Sequence, residues 1–302
     1  MNEEYLWDRS GEPDADVARL EKVLGPLRWS EKKRRRWPLV AIATAAAAAI
    51  LLVGLAVRTS GAVTSWRLSL AGEKPSAVRT GQVLTHGTIE SDFVGEVEIE
   101  PRSRLRLLKS GNGEHRLALD RGTIHALVWA PPAEFVVDTP SGKTVDLGCR
   151  YTLRVAGDGA GFLTVEMGWV AFQSKNLESF IPAGAACTTR PGHGPDTPHF
   201  LDAPQTLITA VARFDQAQDP LALNAALGAA RPRDALTLWH LLERTQGVER
   251  AAVFDRFATL VKLPSEVRRD AVLRGDRKAM DIAWNALELG DTSWWRRWKR
   301  EW

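Results

Sequence analysis

The chain has 302 residues, of which 44% are hydrophobic and 25% charged, so it is long enough to bury a core and to hold two domains. Its formal net charge of +3 is small for this length and does not indicate nucleic-acid binding. Only two cysteines occur, which excludes a disulfide-dense scaffold and a multi-cysteine zinc ribbon.

The first 36 residues predict a short cytoplasmic segment with one amphipathic helix. Asp14 can cap this helix, and apolar residues recur at helical spacing from Val17 to Leu27. A segment of this length cannot bury a core of its own. We therefore expect the helix to dock on another protein, to lie on a membrane or to stay mobile. The remaining alternative is a solvated stub that only sets the topology.

The strongest single signal is an uncharged run of nineteen residues at 39–57, LVAIATAAAAAILLVGLAV. As a helix it would be about 28 Å long, close to the ~30 Å hydrocarbon core of a bilayer. With Trp37 at its edge, the run predicts a transmembrane helix over 37–57. A cleaved signal peptide fits less well because a long, partly acidic segment precedes the run. The Ala-rich composition and the basic flank also disfavour a buried core helix.

A basic cluster determines the predicted topology. Positive charge is concentrated before the span and is sparse after it, so the positive-inside rule places the N-terminus in the cytoplasm. In a bacterial cell the residues after 58 then lie in the periplasm, and the chain is a single-pass protein of the inner membrane. The topology determinants are Lys32, Lys33, Arg34, Arg35 and Arg36.

After a linker at 58–75, residues 76–192 predict an all-β domain. Segments such as GEVEIEP and FLTVEMGWVAFQS alternate or cluster apolar and β-branched residues, and turn residues interrupt them roughly every eight to twelve positions. This rhythm is typical of a sandwich, a barrel or a short solenoid. The sequence GDGAG at 157–161 indicates a hairpin turn.

A second linker at 193–203, rich in Pro and Gly, precedes an all-α C-terminal domain predicted at 204–302. Short segments of helical periodicity are separated there by Pro and Gly breaks, which indicates antiparallel helix pairs. The predicted fold class is therefore multidomain: a single transmembrane helix, an all-β external domain and an all-α C-terminal domain.

Residues 122–190 carry an ordered series of motifs. The series is GTIHALVWAPPAEFVVDTPSGKTVDLGCRYTLRV, then FLTVEMGWVAF, then IPAGAACTTRPG. It resembles the FecR-like periplasmic domain. The resemblance implies a single-pass membrane protein whose external β domain senses a signal and whose inner segment controls an extracytoplasmic-function sigma factor.

The topology and the resemblance together predict a non-enzymatic, membrane-anchored sensor or regulator. Its expected partners are a cytoplasmic sigma factor or another regulator, and a periplasmic or outer-membrane protein. No cofactor, metal or nucleic-acid partner is expected. The alternative is a structural or scaffolding envelope protein with β and helical interaction domains, which the short cytoplasmic segment favours.

Two acids in the motif series are candidates for acid–base chemistry. Asp138 and Asp146 flank a Gly-containing turn, and paired carboxylates can transfer protons. However, Asp beside Thr-Pro and Asp before Leu-Gly are ordinary turn and strand-end residues, so we interpret both as structural. His193 and His199, with Asp196 and Cys187, could be arranged into a metal site, but their spacing fits no standard zinc pattern, so we interpret them as residues of a Pro/Gly loop.

Cys149 and Cys187 form a candidate disulfide. Both follow the predicted span, and an oxidising periplasm would permit a bridge across their separation of 187 − 149 = 38 residues. The chain-entropy model assigns such a bridge about 3–4 kcal/mol of stabilisation. Two buried free thiols are the alternative.

The C-terminal sequence DTSWWRRWKREW is a candidate membrane-binding or partner-binding segment. On a helix Trp294, Trp298 and Trp302 share one stripe, Trp295 lies beside it, and basic residues cover much of the remaining surface. Such a helix could lie at a membrane interface or bind a partner protein. It could also pack its tryptophans into the helical domain.

Overall fold

The computed structural model describes residues 18–19, 65–174 and 177–290. The chain divides into two compact units, residues 1–59 and 60–302, and the second contains nearly all of the described residues. In the first unit only Ala18 and Arg19 are described, and both are helical and exposed. The predicted span at 37–57, the basic cluster at 32–36 and the four C-terminal tryptophans lie outside the described residues.

The described part between residues 67 and 200 is built of sixteen strands. In chain order they are β1 Arg67–Ser69, β2 Ser76–Ala77, β3 Val83–Leu84, β4 Gly87–Ser91, β5 Gly95–Ile99, β6 Arg104–Gly111, β7 Glu114–Val128, β8 Phe135–Thr139, β9 Gly142–Asp146, β10 Arg150–Val155, β11 Gly161–Met167, β12 Trp169–Ser174, β13 Leu177–Pro182, β14 Ala185–Arg190, β15 Gly194–Pro195 and β16 His199–Phe200.

The strands form one hydrogen-bonded network that folds into two sheets. The first sheet has the order β2-β1-β4-β5-β7-β10-β11-β14, with β15 and β16 both paired to β14. The second has the order β3-β6-β7-β8-β9-β12-β13. The pair β7–β8 is parallel, and the other pairs described are antiparallel. Trp66 next to β1 contacts Phe135 of β8, with ring centroids 6.2 Å apart, so the inner faces pack on each other as a sandwich.

Strand β7 belongs to both sheets. Its first half pairs with β6 and β8, and its second half pairs with β5 and β10. The strand changes sheets near Gly122, whose φ of +101° suits glycine, and a Cβ there would lie 2.3 Å from the Cα of Ser103. Glycine at this position therefore permits both the bend and the close approach of the neighbouring chain.

Six α-helices and one 3₁₀ turn follow in the described residues after 204. They are α1 Gln205–Ala217, α2 Pro220–Ala229, the 3₁₀ turn Pro232–Asp234, α3 Ala235–Arg244, α4 Gly247–Leu260, α5 Arg269–Leu273 and α6 Arg277–Asn285. Two begin at an aspartate cap. The carboxylate of Asp219 accepts from the N–H of Leu221, and that of Asp276 accepts from the N–H of Ala279.

The predicted fold class is wrong. The described residues form mainly antiparallel β-sheet with a C-terminal helical part, and one cluster of buried apolar residues runs through both, from Trp66 to Trp284. Strands β1, β15 and β16 also occupy parts of the segments predicted as linkers. A local sequence pattern shows which face of an element is apolar, but not which other element covers that face.

Within 65–174 and 177–290, no helix is long and apolar enough to cross a membrane. The longest there is α4 with 14 residues, which corresponds to about 21 Å at 1.5 Å per residue. The structure of the protein is thus mainly antiparallel β-sheet with a C-terminal helical part. The inner-membrane localisation stays a prediction, since it depends on residues outside these ranges.

Candidate functional site at the junction of the sheets and the helices

Helix α3 covers the edge of strand β13 through His240. The N–H of Phe180 in β13 donates to Nε2 of His240 at 3.0 Å, and Nδ1–H of the same ring donates to the carbonyl of Leu236 at 2.9 Å. Both ring nitrogens are used, so the imidazole is held neutral in a single tautomer. Burial, and then the positive charge of Arg244, lower the pKa of His240 to about 3.

Arg244 makes a second connection, one helical turn after His240. Its guanidinium donates to Oγ of Ser179 at 2.7 Å and to the carbonyls of Pro195 and Asp196 at 3.4 and 3.3 Å. It also donates to the carbonyl of His240 at 3.1 Å. Because His240 and Arg244 lie at i and i+4, one face of α3 supplies the polar groups that β13 and β15 need.

An aromatic cluster fills the space beside these hydrogen bonds. Trp284 of α6 lies at its centre, with ring centroids 4.8 Å from Trp239 of α3, 5.8 Å from Phe180 and 6.2 Å from Trp169 of β12. The indole N–H of Trp239 donates to the carbonyl of Met280, and Trp284 is fully buried. Large, tilted ring pairs of this kind contribute packing area as well as a preferred geometry.

A buried polar network ties helix α1 to the last strands. The carboxylate of Asp215 accepts from the N–H and the hydroxyl of Thr197 at 2.7 and 2.8 Å. Arg190 pairs with Asp196 and also donates to the carbonyl of Asp215 at 2.9 Å. Burial raises the pKa of Asp215. Each of these groups is satisfied by a structural partner.

An open groove of about 630 Å³ lies between β16 and the ends of α3, α4 and α6. Its walls expose polar and apolar surface in similar amounts, and Arg233 stands over the ring of Phe200 at 4.5 Å while also pairing with Asp202. The lining residues are Ala183, Phe200, Pro232, Arg233, Ala235, Leu236, Leu260, Val261, Lys262, Pro264, Asn285, Ala286, Leu287, Glu288 and Leu289.

The two acids singled out from the sequence have separate structural partners. Asp138 forms a two-bond ion pair with Arg116, at 2.6 and 2.9 Å. Asp146 is 2% exposed, accepts from the N–H of Gly148 at 2.6 Å and accepts from the thiol of Cys149. Burial raises the pKa of Asp146 to about 7. The structure does not bring the two carboxylates together as an acid–base pair.

The structure keeps Cys149 and Cys187 as free, buried thiols and does not bring them together. Cys149 directly precedes Arg150, which pairs with Met167 at one end of β11. Cys187 pairs with Leu163, four residues further along the same strand and on its other side. Four residues correspond to about 13 Å, well beyond the ~7 Å limit for the Cα atoms of a disulfide.

The two histidines of the Pro/Gly loop make local contacts. Nδ1 of His193 lies 3.4 Å from the carbonyl of Pro191, and Nδ1 of His199 lies 3.0 Å from that of Phe200. Among the described residues, no group of three or more His, Cys, Asp or Glu side chains could hold a metal ion.

Sequence reasoning missed the two residues that fasten the junction, His240 and Arg244. Their spacing in the segment WHLLER places both on one helical face, which is a usable signal for a shared contact. The partner strand cannot be read from that spacing, because Phe180 lies 60 positions away from His240.

Comparisons with known proteins give a distant likeness. No family model matches the sequence, and no curated protein matches it. Two crystal structures of a candidate anti-sigma factor from Parabacteroides distasonis are similar to part of the chain, with TM-scores of 0.32 and 0.31 and 17% identity. The match covers 44% of this chain and 61% of the length of those proteins. TM-scores this low do not establish a shared fold.

Proposed function

We propose that this chain is a non-enzymatic regulatory protein that acts by binding a protein partner, and that the partner it regulates is an extracytoplasmic-function sigma factor. The proposal rests on the motif series at 122–190 and on the use that the fold makes of those residues. The sigma factor itself comes from the resemblance to FecR-like regulators.

The observation that carries the proposal is that residues of the motif series form the turns and strand ends of the sandwich. Its glycines stand at turns with positive φ, at Gly142, Gly148, Gly168 and Gly184. At Gly168 a Cβ would lie 2.1 Å from the carbonyl oxygen of Gly148, so the turn before β12 requires glycine. A motif series whose glycines form turns and strand ends supports a binding role for this part of the fold.

The reactive side chains of the same series are also engaged in the fold. Asp138 is neutralised by Arg116, while Asp146 and Cys149 bond each other inside the core. A general acid or base must reach its substrate within hydrogen-bonding distance, and a buried, mutually bonded pair is not placed to do so.

Regulation can be tested by expressing the full chain with each extracytoplasmic-function sigma factor of its source genome and measuring transcription from the matching promoter. We expect one sigma factor to respond to the full chain and to lose that response when residues 14–27 are deleted. If the full chain changes transcription by none of the sigma factors, the regulatory proposal is wrong and the scaffolding role becomes the better explanation.

A matched pair of variants tests the non-enzymatic part of the proposal. Asp138→Asn and Asp146→Asn each remove a carboxylate with little change in shape. A regulator that works by binding keeps its effect on transcription in both, provided that circular dichroism shows the variants folded. Loss of the effect in a folded variant would instead indicate that the carboxylate takes part in chemistry.

A further inference from the structure

The outer face of the first sheet carries unpaired charges of both signs. Glu96 and Glu98 of β5, and Arg150 and Arg154 of β10, are exposed and make no ion pair or side-chain hydrogen bond in the described part of the chain. By contrast, Arg67 of β1 and Arg116 of β7 each pair with a carboxylate. The face therefore offers charge that the fold itself does not neutralise.

The strand register arranges these charges in rows across β7. Glu96 pairs with Leu127, and Leu127 pairs with Arg150, so all three share one row. Glu100 directly follows the last residue of β5, and its N–H bonds the carbonyl of Thr123, which in turn pairs with Arg154. Its carboxylate lies 3.1 Å from Nε2 of His125 on the same face, so of the two acids used here only Glu96 is wholly unpaired. In each row an acid stands on one side of β7 and an arginine on the other, each about 5 Å from it.

This arrangement is complementary to itself. A two-fold axis that lies between two facing sheets and runs parallel to β7 places β5 of one copy over β10 of the other. Glu96 then faces Arg150 of the second copy, and Glu100 faces Arg154, while Leu127 meets Leu127 on the axis. Two sheets packed in this way lie about 10 Å apart, within reach of opposed Glu and Arg side chains.

We propose that the outer face formed by β5, β7 and β10 binds a second copy of this chain, in a two-fold dimer held by Glu96–Arg150 and Glu100–Arg154 pairs. An isologous interface needs one surface patch that matches itself, and the rows provide that property. The inference is independent of the sigma-factor proposal, because it concerns self-association alone.

The size of the face sets the expected strength of the dimer. From β4 to β11 the five strands span about 19 Å, and the step from Glu96 to Glu100 is about 14 Å. An interface confined to this patch buries a few hundred Å² per copy, less than the ~800 Å² of a standard interface. The dimer is therefore expected to be weak, concentration-dependent and sensitive to salt.

The test is sedimentation velocity of the purified full chain across the micromolar range, at low and at high salt. We expect a dimer whose dissociation constant rises with salt. The double variants Arg150→Glu/Arg154→Glu and Glu96→Arg/Glu100→Arg should each dimerise roughly tenfold more weakly, because like charges then face each other. An equimolar mixture of the two should restore association as a heterodimer, since their charges are again opposite.

A control variant reverses two positive charges outside the face. Arg79→Glu/Arg277→Glu changes the net charge by the same amount as the arginine double variant, and it should leave the dissociation constant unchanged. Circular dichroism confirms that each variant is folded before it is compared. A wild-type chain that stays monomeric throughout, or charge-reversed variants that dimerise as well as the wild type, would overturn the proposal.

Discussion

The buried imidazole of His240 makes a quantitative prediction about acid stability. In the folded chain its pKa is about 3, because the ring is fully buried and lies near the positive charge of Arg244. In the unfolded chain the pKa returns to 6.5. Between these values the unfolded state binds a proton that the folded state does not, so stability is present above pH 6.5 and is lost as the pH falls towards 3.

The size of this effect follows from the difference in pKa. At 1.36 kcal/mol per unit, lowering the pH from 7.5 to 5 costs about 2 kcal/mol through this one group. The variant His240→Gln keeps an acceptor for the N–H of Phe180 but cannot titrate. Urea unfolding of both proteins at the two pH values measures the effect, and the variant is expected to lose about 2 kcal/mol less than the wild type on acidification.

The comparison needs one control and has one clear refutation. His193→Gln, an exposed substitution in the Pro/Gly loop, is measured alongside as the control for replacing a histidine away from the junction. If wild type and His240→Gln lose the same free energy between pH 7.5 and 5, the imidazole is not held neutral in the folded state. The hydrogen bonds of His240 to Phe180 and Leu236 would then not fix a neutral ring at the junction.

Three further changes test other parts of the fold. As the pH rises from 5 to 8, the wild type should lose about 2.5 kcal/mol of unfolding free energy, because the folded Asp146 carboxyl keeps its proton up to about pH 7 while the unfolded one loses it near 3.8. Asp146→Asn cannot titrate and should not show this loss in urea unfolding. Gly168→Ala should destabilise by about 2 kcal/mol or more in thermal unfolding, since φ is +76° and the carbonyl of Gly148 occupies the space of a Cβ. Arg244→Met should speed amide exchange in α3 and around Ser179 while β5 exchanges as before, because only the junction loses hydrogen bonds.

Local patterns predicted the elements better than their assembly. The alternation in GEVEIE indicated strand β5, with its two glutamates on the exposed face. The bend of β7 at Gly122 was not predicted, because the residues before and after it both have strand character and only pairing with other strands reveals the change of sheet.

The contacts of the candidate site were predicted less well than the individual strands and helices. The sequence places Asp138 and Asp146 at turns and strand ends, but it does not predict the bond between Cys149 and Asp146, which depends on a tight turn at Gly148. Sequence separation alone does not show whether Cys149 and Cys187 can form a disulfide. Only the strand register shows that the two cysteines lie apart. A register is set by many side chains acting together, and no short segment contains that information.

Helix α3 has a consequence for how this protein can be divided. Strand β13 pairs with β12 on one side only, and the helix occupies its other side through His240. A fragment ending near residue 200 would leave that strand edge open to any other strand in solution, and open edges lead to aggregation. The helical part thus covers a strand edge that the sandwich alone would leave open, and we expect the sandwich to need the helices on the same chain in order to stay unaggregated.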